Sequence, residues 1–209
     1  KDDFLPKLRA RIEKELKIPP TNVLVNTSHC HGIPCTDVEE RTFQAVKQAA
    51  AKRVAVRIGT GSGNEDRISE NRRMKLKSGK EADVRHAYSL PPDDEVVSTG
   101  PIDPQIGVLR LDRLDGRTLA VVYNFACHPI QGMPSGSNTA DLTGFASEVI
   151  EDNLGEGAVA LFLQGCGGDI NPALYKEPNL PRSAETLGNM LGLSTLKAVR
   201  QIEPKADAR

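Results

Sequence analysis

Apolar positions recur at helical spacing near the start of the chain, where Phe4, Leu5, Leu8, Ile12 and Leu16 share one face of residues 3–17 and Lys, Arg and Glu fill the other. The pattern predicts an amphipathic helix stopped by Pro19-Pro20, which cannot continue the helical hydrogen-bond ladder. The apolar run Val23-Leu24-Val25 then predicts a short buried strand over residues 22–26, delivering the chain into Thr27-Ser28-His29-Cys30-His31-Gly32. Asp37, with Glu40 three positions on, predicts a capping box that opens a second helix through Val38, Phe43, Val46 and Ala50. Residues 53–58 alternate as the next strand.

Residues 59–104 are rich in Gly, Ser, Asn, Pro and charge, which predicts a functional loop region carrying Asn71-Arg72-Arg73. Residues 106–111 and 118–125 predict a hairpin across Asp115-Gly116, whose second strand runs into Ala126-Cys127-His128-Pro129. A helix over residues 143–153, a buried strand over 158–164 and a long helix over 183–202 follow, the last with Leu187, Met190, Leu191, Leu196 and Val199 on one face. Alternating strands and helices predict an α/β fold, a layered mixed sheet with helices packed on it, as a single domain spanning residues 1–209.

Composition narrows the function classes. Lys plus Arg number 27 against 28 Asp plus Glu, a formal charge of -1, so nothing favours a polyanion and nucleic acid is not an expected partner. The longest apolar stretches fall far short of the ~20 residues that cross a bilayer, so no transmembrane segment is expected. The opening Lys1-Asp2-Asp3-Phe4 carries no leader pattern. Aromatics are 4% with no Trp, which leaves the core to Val, Leu, Ile and Ala. Cys30, Cys35, Cys127 and Cys166 are too sparse for a disulfide scaffold, and they do not settle the compartment.

Three elements invite chemistry. His29 and His31 are one residue apart, so on an extended segment both project to one side and can address one point; the alternative is a hydrogen bond to the loop backbone. His128 also follows an apolar strand, and two strand ends of one sheet can converge. Imidazole is the commonest zinc ligand, and catalytic zinc takes three protein ligands with one position left open. The third element, Gly165-Cys166-Gly167-Gly168-Asp169-Ile170-Asn171-Pro172, breaks a strand into glycines that let backbone amides approach a substrate, with Asp169 and Asn171 placed to bind or orient it. Its alternative reading is a tight turn in which Asp169 caps neighbouring amides. Cys30, Cys127 and Cys166 flank these elements, and packing describes them better than a thiolate metal site or a nucleophile; His86 reads as a surface residue.

Taken in order, Asn26-Thr27-Ser28-His29-Cys30-His31-Gly32, Asn71-Arg72, Asn124-Phe125-Ala126-Cys127-His128-Pro129 and Gly167-Gly168-Asp169-Ile170-Asn171-Pro172 resemble the motifs of the neutral/alkaline non-lysosomal ceramidase family. The resemblance covers residues 22–175. It implies a zinc-dependent hydrolase of linear amides, acting on N-acyl sphingoid lipids or related N-acyl amides, and an exported protein. His29 and His128 would be metal ligands. His31 would serve proton transfer or oxyanion contact, Arg72 would hold a substrate oxygen, and Gly168, Asp169 and Asn171 would bound the substrate. Asp141, in Ala140-Asp141-Leu142-Thr143-Gly144, resembles an aspartate-glycine element with a supporting role. Two departures stand out. Asn171 occupies the place of a family serine, and the family's remaining ligands, a glutamate and a tyrosine, have no match before Arg209, as expected of part of a longer protein. The different-class alternative is a non-catalytic lipid- or carbohydrate-binding module with an incomplete metal site.

Overall fold

The structure, a computed structural model, describes residues 3–29, 35–84, 90–132, 139–155, 157–176 and 183–206. The chain divides into two compact units, Lys1–Ala55 and Val56–Arg209. Among the described residues no helix is long and apolar enough to cross a membrane.

In the first unit, α1 (Phe4–Leu16) packs on α2 (Val38–Ala51) through buried Leu8, Ile12 and Phe43, with Val23, Val25 and Val46 around them. The Arg11 guanidinium lies 3.8 Å from the Phe43 ring centroid and pairs with Glu40, which also accepts from Gln44. This explains why the expected capping box does not form. Glu40 is taken by a charge-assisted bond, and Asp37, at φ 56°, makes no side-chain cap. Residues 22–26 do not form the expected strand either. Val23 and Val25 pack inward while Leu24 is 83% exposed, and Arg9 donates to the Val23 carbonyl through Nε at 3.2 Å and Nη2 at 2.8 Å. A ladder needs that carbonyl, and here a side chain holds it.

The second unit contains β1 (Val56–Asn64), β2 (Ser69–Asn71), β3 (Arg73–Leu76), β4 (Glu81–Asp83), β5 (Val96–Thr99), β6 (Gln105–Arg113), β7 (Thr118–Phe125), α3 (Asp141–Leu154), β8 (Val159–Gln164), β9 (Ile170–Pro172) and α4 (Glu185–Val199). The main sheet has the order β1-β6-β7-β8, antiparallel except for the parallel β7–β8 pair, so the expected mixed α/β sheet is present. Helices α3 and α4 pack on it over Ile106, Val121, Tyr123, Phe125, Leu142, Ile150, Leu187 and Leu191. β8 is only half buried: Ala160 faces this core, while Leu161 on the alternate side is exposed.

Residues 59–104 are not the loop region that their composition predicts. β1 runs through Gly59-Thr60-Gly61-Ser62-Gly63, and β3 lies between β4 and β5 in a separate small sheet. The alternating glycines have a packing reason. A Cβ on Gly59 would meet Ile202 Cγ2 at 2.4 Å, and one on Gly63 would meet Ala198 Cβ at 3.2 Å, so the bare face of β1 seats the end of α4. Arg110 closes that end by donating to the carbonyls of Val199, at 3.2 Å, and Ile202, at 3.4 Å.

Tyr123 is wholly buried, its hydroxyl donating to Thr143 O at 2.9 Å beside Ser147 Oγ at 3.0 Å. Burial pushes its pKa from 10.0 up to about 12. The folded-state pKa is raised, so this stabilisation is complete below pH ~10, the value for an unfolded tyrosine, and is lost as pH rises toward the folded value. Urea titrations at pH 9 and pH 12 should therefore give a larger loss of stability for the native sequence than for Tyr123→Phe, by on the order of 2 kcal/mol. Equal losses would place the phenol in water.

Candidate functional site

Three segments that are distant in sequence meet at Ile170. β2 pairs antiparallel with β9, matching Glu70 with Asn171 and Asn71 with Ile170, and the ladder extends through Arg72 N–H to Asp169 O at 2.9 Å. The Ile170 carbonyl in turn accepts from His128 twice, from the backbone N–H at 2.9 Å and from ring Nδ1 at 3.2 Å. The turn leaving β8 is welded to the end of β7 by Gly165 N–H to Phe125 O at 2.9 Å and Gln164 Nε2 to Cys127 O at 3.0 Å. Gly165 is required there, since a Cβ would lie 2.8 Å from Phe125 O, whereas a Cβ on exposed Gly168 would meet nothing within 4 Å among the described residues.

His128 is 6% exposed. A carbonyl only accepts, so the bond to Ile170 O puts the proton on Nδ1 and the lone pair of a neutral ring on Nε2. A metal-ligating histidine needs this tautomer and usually obtains it from such a backbone carbonyl. The segment after His128 is held by Asp141, whose carboxylate accepts from the N–H groups of Gln131 at 3.0 Å, Gly132 at 2.8 Å and Leu142 at 2.8 Å. Cys127 is buried, and burial, reinforced by Asp141, pushes its thiol pKa far up, so it stays protonated and packs rather than attacks.

Arg72 and Asn171 border one small cavity of about 20 Å³ together with Glu70. That is room for about one water molecule. Asn171 is 7% exposed, and its Oδ1 has no hydrogen-bond partner among the described residues. Arg72 Nε stands 3.0 Å from Asp83 Oδ1, an ion pair by distance, yet it is not aligned for a hydrogen bond. Asp169 is engaged elsewhere. Its Oδ2 accepts from Arg73 Nε at 3.1 Å and Asn71 Nδ2 at 3.4 Å, so it pairs with side chains rather than capping loop amides. Arg73 is the residue that motif reading passes over. Reading residues 69–76 as extended backbone would have separated it from Arg72, because neighbouring side chains on a strand point to opposite faces.

His29 is exposed and belongs to the first unit, whereas His128, Arg72, Asp169 and Asn171 belong to the second. His31, Cys30 and His86 lie outside the described residues. Among the described residues, no three His, Cys, Asp or Glu side chains stand together as a metal-binding group.

No known family's sequence profile matches this chain, and no curated protein matches it by sequence. Among solved structures, its fold is similar to the crystal structure of neutral ceramidase from Pseudomonas aeruginosa, with a TM-score of 0.65, 22% identity, and 95% of this chain and 34% of that chain covered. It is similar also to a structure described as ceramidase complexed with C2, with a TM-score of 0.66 and 22% identity. The chain thus spans 34% of the length of the ceramidases it matches in fold.

Proposed function

We propose that this chain is the metal-bearing part of a ceramidase-like hydrolase of linear amide bonds, with an N-acyl sphingoid lipid or related N-acyl amide as substrate. The observation that carries the reading is the meeting of His128 with the β2–β9 ladder at Ile170, beside Arg72 and Asn171. The similarity in fold to neutral ceramidase supports it. His128, with its proton on Nδ1 and so its lone pair on Nε2, and His29 would hold zinc. When bound, zinc supplies a Lewis acid and an acidified water nucleophile.

The chain's own side chains have the remaining tasks. Arg72 holds the amide oxygen through its planar fork, and Asn171 Oδ1, buried with no hydrogen-bond partner among the described residues, accepts from a substrate N–H or O–H. Exposed Gly168 borders the same loop, and Asp169 holds that loop in place through Arg73 and Asn71. His31 moves the proton: the C–N bond breaks, the acyl carbon keeps the oxygen of water, and the leaving amine takes a proton.

The test is zinc analysis of the purified protein alongside fatty-acid release from an N-acyl sphingosine and from a simpler N-acyl amide. Zinc near one equivalent and amidase activity should both disappear in His29→Ala and in His128→Ala. Arg72→Lys should keep the zinc and lose about a hundredfold in kcat, the scale of losing one oxyanion donor. Zinc and turnover that survive in His128→Ala would sink the proposal.

A further inference from the structure

We infer that the cavity beside the Arg73–Asp169 pair is a binding site for an uncharged, polyhydroxylated ligand of hexose size. This cavity is separate from the small one that Arg72 and Asn171 border. Its volume is about 510 Å³, within the range of about 300 to 1,000 Å³ typical of small-ligand sites.

Its polar groups are held in advance. Asn71 donates to Pro101 O at 2.8 Å and accepts from Arg73 N–H at 2.9 Å, while Gly100 lies so close that a Cβ there would be 2.6 Å from Asn71 Cγ. Arg73 spends only Nε on Asp169 Oδ2. Its two terminal nitrogens and Asp169 Oδ1 make no hydrogen bond among the described residues. A spare donor fork beside a spare carboxylate oxygen fits a group that both gives and accepts hydrogen bonds, and adjacent hydroxyls do so.

Charge weighs against an anion. Arg73 and Lys75 on the wall are opposed by Glu81, Asp103 and Asp169, so a phosphate meets more negative than positive charge, while beside Asp169 an ammonium ion would meet the like charge of the Arg73 guanidinium. Met74 and Ile102 supply the apolar wall on which the C–H face of a sugar ring rests.

Cys166 lines the cavity and is exposed, which makes it a reporter. Alkylation is followed site by site by peptide mass spectrometry, with exposed Cys35 of the first unit as control. Methyl glucoside or methyl galactoside at millimolar concentration should slow modification of Cys166 several-fold and leave Cys35 unchanged. The protection should vanish in Asp169→Asn and in Arg73→Ala, with melting temperatures held. Equal protection by octyl glucoside below its micellar range would assign a free saccharide, and stronger protection would assign a lipid-borne sugar. The inference is overturned if neither hexoside protects, if inorganic phosphate protects as well, or if Asp169→Asn keeps the protection. The readout needs neither metal nor turnover, so its failure is distinguishable from failure of the amidase proposal.

Discussion

Gly188→Leu is expected to abolish folding of the second unit, and Gly188→Ala to lower its stability by about 1 to 3 kcal/mol, the usual penalty of overpacking. Gly188 and Gly192 are four residues apart on α4 and present one bare face to α3. A Cβ on Gly188 would lie 2.5 Å from Phe145 Cβ and 2.6 Å from Leu142 O, and one on Gly192 would lie 2.8 Å from Ala146 O and from Val149 Cβ. Two of these neighbours are backbone oxygens, which cannot swing aside, so the helices would have to separate. Leu142, Ala146, Leu187 and Leu191 would then lose packing that the sheet cannot restore. The sign makes the test sharp, because Gly→Ala on an open helix surface stabilises by about 1 kcal/mol. A urea midpoint that rises in Gly188→Ala would show that the crossing is looser than described.

That close crossing was not legible in the hydrophobic pattern, which locates a helix face by what is apolar and passes over what is small. The hairpin of β6 and β7 was legible because its turn is local: Asp115-Gly116 supplies the left-handed residue, Gly116 at φ 90°, that a tight connection requires. The same logic failed on β1. Its glycines look like loop punctuation, yet they alternate with Thr60 and Ser62 at strand period, and their purpose shows only once α4 is seated on them. The strand expected at residues 22–26 failed for the opposite reason. Its apolar pattern is real, with Val23 and Val25 inward, but Arg9 takes the carbonyl that pairing would use.

For the candidate site, the motifs identified residue types but not partners. Asn71-Arg72 and Asp169-Ile170-Asn171 are brought together by a short ladder between segments roughly a hundred residues apart, a register that no local rule supplies. Within that ladder the alternation of side chains assigns Arg73, not Arg72, to Asp169. The histidine tautomer was likewise invisible, because it depends on where the Ile170 carbonyl points.

Asp141→Ala is expected to cost the second unit about 3 kcal/mol or more and to loosen the segment that follows His128. Asp141 is 2% exposed and sits at φ 52°, and its carboxylate accepts from the N–H groups of Gln131, Gly132 and Leu142. Each buried donor left unpaired costs about 1 to 3 kcal/mol, and local relaxation recovers part of the sum. Two further variants separate the causes. Asp141→Gly relieves the left-handed backbone and still removes the carboxylate, so it should remain destabilised if the hydrogen bonds dominate. Asp141→Asn keeps one acceptor but turns an amide N–H₂ toward a backbone donor, which places it between alanine and the native residue. Urea midpoints would order the three, and amide hydrogen exchange would locate the loss, with protection falling first at Gln131 and Gly132. An Asp141→Ala protein with native midpoint and native protection at those two amides would mean that the turn after His128 holds itself. The bond from the imidazole to the Ile170 carbonyl would then not depend on that turn.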